Sequence, residues 1–307
     1  MFFIIIKTII VYSFPLITLT GLVTNSLSFY IFSRTKFQNT IFSTYFRFYL
    51  LFQTLNLILP INKMFELNFD MFFSRISKLS CCFRFFYPNF NFSNSAWLLA
   101  VISIDRYLSI SFSKKFSFRK KTNFQIITCC FIFTYNACFF TSSWFYYLKE
   151  FRLSINQTNN QTKSIYKCVP SGIEVDIMEM FQQIFAPFLL MILFTSLTIE
   201  NVLRSRNQIN NVSSIRKINI DRKFIISSIT INLLFLLFNS PYFFFSFLND
   251  YTTVFSNYND LFKLFESLSY FFLYINLTST FFINNCVNSM FKTELKSVSI
   301  FRTRIST

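Results

Sequence analysis

The sequence predicts an all-α membrane protein, a bundle of seven transmembrane helices followed by a short amphipathic eighth helix. Hydrophobic residues make up 53% of the 307 residues and charged residues only 14%, which is typical of chains solvated by lipid. Several stretches approach the roughly 20 apolar residues that a helix needs to cross the hydrocarbon. Glycine occurs only at Gly21 and Gly172, which argues against turn-rich sheets and Gly-rich phosphate loops.

The composition also argues against several functional classes. The chain has no histidine and no Cys-x-x-Cys motif, so the commonest general base and the usual zinc ligands are missing, and we expect no enzymatic activity, metal or cofactor. The formal net charge of +16 would be compatible with nucleic-acid binding in a soluble protein. Here the Lys and Arg residues lie between apolar runs, which predicts a lipid bilayer and no nucleic acid as partner. The 49 phenylalanines are interpreted as lipid-facing and packing residues rather than as an aromatic ligand cage.

Apolar windows place the membrane spans in a single domain that covers residues 1–307. The predicted spans lie near 9–33, 43–66, 78–110, 123–147, 177–203, 222–248 and 261–290, with an inner-leaflet helix near 291–301. The third span is the least apparent, because the segment from Cys81 to Asn94 mixes apolar and polar residues. Lys7 interrupts the apolar start and no good small-residue cleavage site follows, so the first span is expected to act as an uncleaved signal anchor.

Two patterns orient the bundle. Lys and Arg are more numerous after spans one, three and five and in the tail than in the opposite linkers, which include Lys63. Such residues near span ends are retained in the cytoplasm. This predicts an outer amino terminus. Asn156 and Asn160 each begin an Asn-x-Thr glycosylation triplet after span four, on the predicted outer face. The alternative is that an Asn-rich sequence forms such triplets by chance, as at Asn211.

The third span ends with Asp105-Arg106-Tyr107, and Cys81 lies twenty-five residues before Arg106. At about 1.5 Å per residue, that separation spans a membrane. The first span contains Gly21 and Asn25 in a Gly-x-x-x-Asn pattern. With these motifs the chain resembles the rhodopsin-like (class A) G protein-coupled receptors over nearly its full length, as a divergent member closest to the invertebrate peptide-receptor-like branch.

The resemblance implies roles for individual residues. Cys81 would form a disulfide with Cys168 in the loop after span four, with Cys82 as a competing partner for the bond. Within the bundle core, the matching positions are Asn25, Asn56, Ser95, Pro187, Phe235 and Pro241. Phe291, Glu294 and Leu295 resemble the start of the family's inner-leaflet helix.

The chain also departs from the family pattern. Asn56 replaces an acidic residue of the second span, so the sodium pocket shared with a polar residue at Ser95 would lose its charge. Asn239 stands where the family usually has a tryptophan, and the segment from Thr280 to Asn284 replaces Asn-Pro-x-x-Tyr.

The resemblance further implies a plasma-membrane receptor that couples an extracellular small ligand or short peptide to a heterotrimeric G protein. Asp105 would hold Arg106 in the resting state until spans five and six move apart; the simpler alternative is that Arg106 snorkels to the interface. Pro88 stands where amine receptors carry an aspartate, which disfavours a monoamine ligand. Acidic and aromatic residues of the outer half predict a pocket for a short cationic peptide: Glu66, Glu179, Tyr242, Phe245, Glu266 and Tyr270.

The sequence is also compatible with two other functions. The altered motifs in spans two, six and seven are also consistent with a degenerate, non-signalling receptor relative. A seven-helix ligand-gated channel or transporter is the other alternative, and it would require a cytoplasmic amino terminus.

Overall fold

The structure is a computed structural model, and it describes residues 2–38, 43–69, 78–111, 122–142, 173–206, 226–227, 229–242, 244–245 and 259–305. Within these ranges there is no strand. The helices are interrupted only at the junction residues Ser13, Ser33, Arg34, Leu57 and Asn288.

The helices follow one another as the segments of an antiparallel bundle. Span one consists of Phe2–Tyr12 and Phe14–Phe32, and the short helix Thr35–Gln38 comes after it. Span two consists of Ser43–Asn56 and Ile58–Phe69, span three of Lys78–Ser111 and span four of Thr122–Ser142. Span five comprises Ile173–Met180, the π-helix Phe181–Phe185 and Ala186–Arg206. Span six contains Ile229–Tyr242, span seven is Asn259–Val287, and the eighth helix is Ser289–Ile305. Where the bilayer begins and ends along these helices stays a prediction.

The bundle exposes many apolar side chains on its surface and buries many polar ones beside its apolar core. Leu16, Val23 and Phe131 are each at least two-thirds exposed, as expected for side chains that contact lipid tails. Three helical stretches of the described residues are long and apolar enough to cross a membrane by length and composition: Thr8–Phe32, Thr122–Thr141 and Ile177–Arg204. The seven-span arrangement therefore includes helices that are not strongly apolar overall.

Span three shows why mean hydropathy alone fails to identify some of these helices as membrane spans. Its residues Asn91, Ser93, Asn94 and Ser95 are all buried inside the bundle. The Ser95 hydroxyl donates to the Asn91 carbonyl oxygen, and the Asn94 amide donates to the Phe90 carbonyl oxygen. Because these groups bond within the protein, they avoid the cost of an unsatisfied polar group in hydrocarbon.

Spans one and two approach each other closely at Gly21. A Cβ atom added there would lie 2.5 Å from one methyl carbon of Leu57 and 3.0 Å from the Thr278 methyl carbon of span seven. Leu57 is the junction residue of span two, and its carbonyl oxygen accepts a hydrogen bond from Thr18 over 3.2 Å. The small residue therefore allows three spans to meet, as small residues commonly do at interfaces between membrane helices.

Span five widens into one π-helical turn just before Pro187. Proline has no N–H group, and its ring would clash with the carbonyl group four residues earlier, at Gln183. A local π-turn relieves both problems, and such turns occur often at functional sites. Here it brings Gln182 and Gln183 to the bundle interior, where both are buried.

The eighth helix is held firmly against span one. The Asn288 side chain caps it by accepting hydrogen bonds from the backbone N–H groups of Met290 and Phe291. The fully buried Phe291 ring lies 5.5 Å from the Phe32 ring, measured between centroids. The Arg34 guanidinium lies 3.0 Å from the buried Glu294 carboxylate.

Candidate functional site

The residues of the Asp105-Arg106-Tyr107 triplet lie in the last turns of span three. Asp105 and Arg106 are each only 4% exposed, and the charge of Asp105 attracts the neighbouring guanidinium. The Tyr107 ring packs against Phe194 of span five, with 5.5 Å between ring centroids. A buried guanidinium is costly unless it is compensated, and the attraction of Asp105 offsets part of that cost.

Span six is joined to spans three and five close to the triplet. The Asn232 amide donates to the hydroxyl oxygens of Ser103, at 2.9 Å, and Thr195, at 3.3 Å. Ser103 lies three residues before Arg106 on the same helix, and Phe235 lies one turn further along span six in the buried core. A movement of span six away from span three would therefore break the bond between Asn232 and Ser103.

Span seven makes polar contacts with two other spans through the segment that departs from the family pattern. The Asn284 side chain accepts a hydrogen bond from Ser227 of span six at 3.0 Å, and Thr280 donates to the Tyr49 hydroxyl of span two. Three residues before this segment, Asn25 of span one donates to the Leu277 carbonyl oxygen over 3.0 Å. The altered segment thus still connects span seven to spans two and six, and Leu277 connects it to span one.

A cluster of amides links spans three, four and five. Asn136 of span four is fully buried, and its carbonyl oxygen accepts hydrogen bonds from Ser93, at 2.9 Å, and Gln182, at 3.2 Å. Its amide group donates to the Asn94 side chain over 3.0 Å. Trp97 donates to the Gln182 backbone carbonyl oxygen, which belongs to the π-turn. The widened turn of span five is therefore fixed to two other spans by neutral hydrogen bonds.

At the other end of the bundle, a charged cluster joins spans two and seven. The Lys63 ammonium lies 2.9 Å from a Glu266 carboxylate oxygen and 4.3 Å from the centroid of the Tyr270 ring. The Tyr270 ring lies 5.1 Å from that of Tyr242 in span six and 5.8 Å from that of Tyr274. Three of the predicted ligand residues, Tyr242, Glu266 and Tyr270, are therefore neighbours.

The remaining predicted ligand residues lie apart from that cluster, or their side chains lie outside the described residues. Glu179 of span five accepts a hydrogen bond from Asn89 of span three over 2.7 Å, and Pro88 is the residue before that asparagine. Phe245 is partly buried near the end of the described part of span six. Cys168, Asn156, Asn160 and the side chains of Cys81 and Glu66 lie outside the described residues.

The other core positions that the resemblance suggested are buried to different degrees. Asn25, Asn56 and Ser95 are completely buried, Pro187 is buried and Pro241 is partly buried. Of the four cysteines whose side chains the structure describes, Cys129 is buried, whereas Cys130, Cys138 and Cys286 are exposed. A small thiol is apolar enough to face lipid.

Sequence reasoning missed residues that the structure places at these sites. Lys63 was assigned to an outer linker, and that assignment is wrong: it is part of a helix and only 7% exposed. A charge within an apolar run is itself a signal of a buried pair, and it could have marked Lys63. No local signal identifies Asn136 or Asn232, because their partners lie more than thirty residues away in the sequence.

The chain matches a known protein family over most of its length. The family described as 7 transmembrane receptor (rhodopsin family) matches residues 24–288, which is well over half of the chain. The match begins one residue before Asn25, ends at the junction residue Asn288, and includes the triplet and the Lys63 cluster. A comparison with curated proteins finds no match. The chain therefore belongs to the rhodopsin family of seven-transmembrane receptors.

Proposed function

We propose that this receptor transduces the binding of an extracellular ligand, a short cationic peptide, into activation of a heterotrimeric G protein at the end that carries Arg106. Membership of the family implies a multi-pass receptor of the plasma membrane with an extracellular ligand and a G protein partner. The peptide ligand, the outer amino terminus and the roles of single residues are parts of the proposal.

The observation that carries the proposal is the burial of Arg106. Arg106 is 4% exposed, the charge of Asp105 attracts its guanidinium, and Asn232 bonds span six to Ser103 of span three, three residues before Arg106. An acid that neutralises a buried guanidinium stabilises the closed conformation. A ligand that binds better to a conformation with spans five and six apart would shift the population towards it and expose Arg106 to the G protein. Tyr107, packed on Phe194, would be released in the same movement.

On the outer side, we propose a disulfide bond and two glycans. A Cys81–Cys168 disulfide would hold the loop after span four across the ligand entrance, since the outer face is oxidising. Asn156 and Asn160 would carry glycans in that same loop. Both features agree with the excess of Lys and Arg on the opposite side of the bundle.

The ligand class follows from the residues of the outer half. Glu66, Glu179 and Glu266 are acidic, and Tyr242, Phe245 and Tyr270 offer aromatic faces, which together favour a cationic and partly apolar ligand. The position of Pro88 supplies no carboxylate for a monoamine.

The test is nucleotide exchange on a promiscuous G protein in cells that express the chain, after a screen of short amidated peptides and small metabolites. Arg106→Ala should abolish ligand-stimulated exchange while leaving expression at the cell surface intact. Arg204→Ala is the matched control, because Arg204 is 73% exposed and pairs with Glu200 on its own helix. Unchanged exchange in Arg106→Ala would overturn the switch assignment.

Two further results separate the alternatives. Binding of a ligand at the cell surface without any exchange in the wild-type chain would assign it to the non-signalling relatives, an outcome that the altered residues Asn56 and Asn239 make worth testing. Glycans at Asn156 or Asn160 would exclude an inverted channel, which has a cytoplasmic amino terminus.

A further inference from the structure

The Lys63 cluster has the composition of a binding site for a cation. The Lys63 ammonium lies 2.9 Å from a Glu266 carboxylate oxygen and 4.3 Å from the centroid of the Tyr270 ring. A carboxylate and the negative face of an aromatic ring both attract cations and repel anions. The arrangement is therefore selective for positive charge at the point where the Lys63 nitrogen now lies.

The two charged partners are not equally accessible. Glu266 is 20% exposed, whereas Lys63 is 7% exposed. Glu266 lies seven residues from the start of the helix Asn259–Val287, about 10 Å along its axis. A molecule that enters from this end of the bundle therefore reaches the carboxylate more readily than it reaches the ammonium.

We propose that Glu266 and Tyr270 form a recognition site for one cationic group of the ligand, a primary ammonium or a guanidinium, and that Lys63 occupies this site in the absence of ligand. The inference rests on the proposed function for the identity of this end as the ligand side. The ligand cation would replace the Lys63 ammonium on the carboxylate and on the ring, so Glu266 keeps a counter-ion throughout the exchange.

The displaced lysine has a route to water. Lys63 lies six residues before the end of the helix Ile58–Phe69, about 9 Å along the axis. A lysine at this depth can extend its four-carbon stem towards the interface and hydrate its ammonium there. Loss of the Lys63–Glu266 pair would also remove a contact between spans two and seven, which couples occupancy of the site to the packing of the bundle.

An anionic ligand group is the competing occupant. It would have to bind the Lys63 ammonium, which already lies between a carboxylate and a ring face and is almost completely buried. Such binding would bring a second negative charge next to Glu266. The geometry therefore favours a cationic ligand group, and the test includes an anionic probe to detect the alternative.

The experiment uses the full chain in lipid nanodiscs, with no G protein, and records thermal unfolding against the concentration of Nα-acetyl-arginine amide (arginine amide for short). Nα-acetyl-citrulline amide (citrulline amide for short) is the matched probe, since it has nearly the same shape and carries no charge. Arginine amide should raise Tm and citrulline amide should have a much smaller effect. Lys63→Met should lower the half-saturating concentration of arginine amide by about tenfold, because the tethered competitor is gone.

Substitutions of Glu266 and Tyr270 should weaken the binding of arginine amide, whereas Lys63→Met should strengthen it. Glu266→Gln should abolish the Tm shift with arginine amide, and Tyr270→Leu should weaken binding severalfold. The double variant Lys63→Met with Glu266→Gln removes both charges together, so it leaves no unpaired buried charge and serves as the folding control; it should not bind arginine amide.

Three results would overturn the inference: equal binding of arginine amide by wild type and Lys63→Met, binding that survives in Glu266→Gln, or a Tm shift with N-acetylglutamate that depends on Lys63. The last result would identify an anion site instead. Because no step of this assay involves nucleotide exchange, its failure would leave the proposed G protein coupling to be judged by Arg106→Ala alone.

Discussion

Asn232 of span six donates a hydrogen bond to the Ser103 hydroxyl of span three over 2.9 Å, and its partner lies three residues before Arg106. The same amide reaches Thr195 of span five at 3.3 Å. Three spans that would have to separate during activation are thus joined by one neutral amide. Its side chain can form these bonds only while span six lies against its neighbours.

The first prediction concerns basal signalling. Asn232→Leu should raise ligand-independent nucleotide exchange by about two- to tenfold, since a neutral hydrogen bond between helices contributes on the order of 1 kcal/mol to the closed conformation. Ser103→Ala should act in the same direction, and the effect of the double variant should be smaller than the product of the single effects. Thr230→Val is the control, because its hydroxyl bonds to the Ile226 carbonyl oxygen of its own helix. Independent, multiplying effects of the two variants would show that the bond does not restrain span six.

A second prediction compares a buried with an exposed ion pair. Glu294 is 4% exposed and pairs with Arg34 at 3.0 Å, whereas Glu200 and Arg204 are both more than half exposed. Glu294→Gln should lower the free energy of unfolding by about 1–2 kcal/mol, less than for a fully buried pair because Arg34 is partly exposed. Glu200→Gln should change it by less than about 0.5 kcal/mol. Equal effects in thermal unfolding would mean that the Arg34 contact does not hold the eighth helix.

The close contact between Gly21 and Leu57 predicts that a substitution of Leu57 partly compensates for a substitution of Gly21. Gly21→Ala should destabilise the bundle by about 1–3 kcal/mol, because the added methyl group would lie 2.5 Å from a Leu57 methyl carbon and Leu57 is fully buried. Leu57→Ala should also be destabilising, since it leaves a cavity. In the double variant the new methyl group fills part of that cavity, so the loss should be clearly smaller than the sum of the two. An additive loss in thermal unfolding would contradict the close packing of spans one and two.

The amide cluster of spans three, four and five gives a fourth prediction. Asn136→Leu should lower the free energy of unfolding by about 1–3 kcal/mol, because it removes the bonding partner of Ser93, Asn94 and the Gln182 side-chain amide inside the bundle. Thr128→Val on the same helix is the control, since its hydroxyl bonds only to the Phe124 carbonyl oxygen in the described contacts. If both variants unfold at the wild-type temperature, Asn136 does not fix the π-turn of span five.

The physical basis of the successful sequence predictions is local. Lipid solvates apolar side chains and rejects unbonded backbone, so a helical membrane protein can be identified from composition and from apolar runs. The motif at Asp105-Arg106-Tyr107 and the pattern from Gly21 to Asn25 are contiguous, and they led to the family whose match covers residues 24–288.

The expectations that needed correction or were missed involve partners distant along the chain. The charge of Lys63 inside an apolar run could have marked it as buried. It could not identify the partner, because Glu266 is about two hundred residues away in the sequence. Cys130, Cys138 and Cys286 face outward, while Cys129, the neighbour of Cys130, is buried, because helical phase decides which face a residue occupies. The Asn288 cap, by contrast, follows a local rule, since asparagine is favoured before a helix.

The sequence by itself determined that the chain forms a helical membrane bundle and where its most conspicuous motif lies, because both depend on residues that are neighbours in the chain. The tertiary structure alone decided which polar groups meet inside it: Asn232 with Ser103, Asn136 with Gln182 and Lys63 with Glu266. Inside a bundle such groups must find partners on other helices, and the faces that meet are set by how all the spans pack together, which no single apolar run specifies.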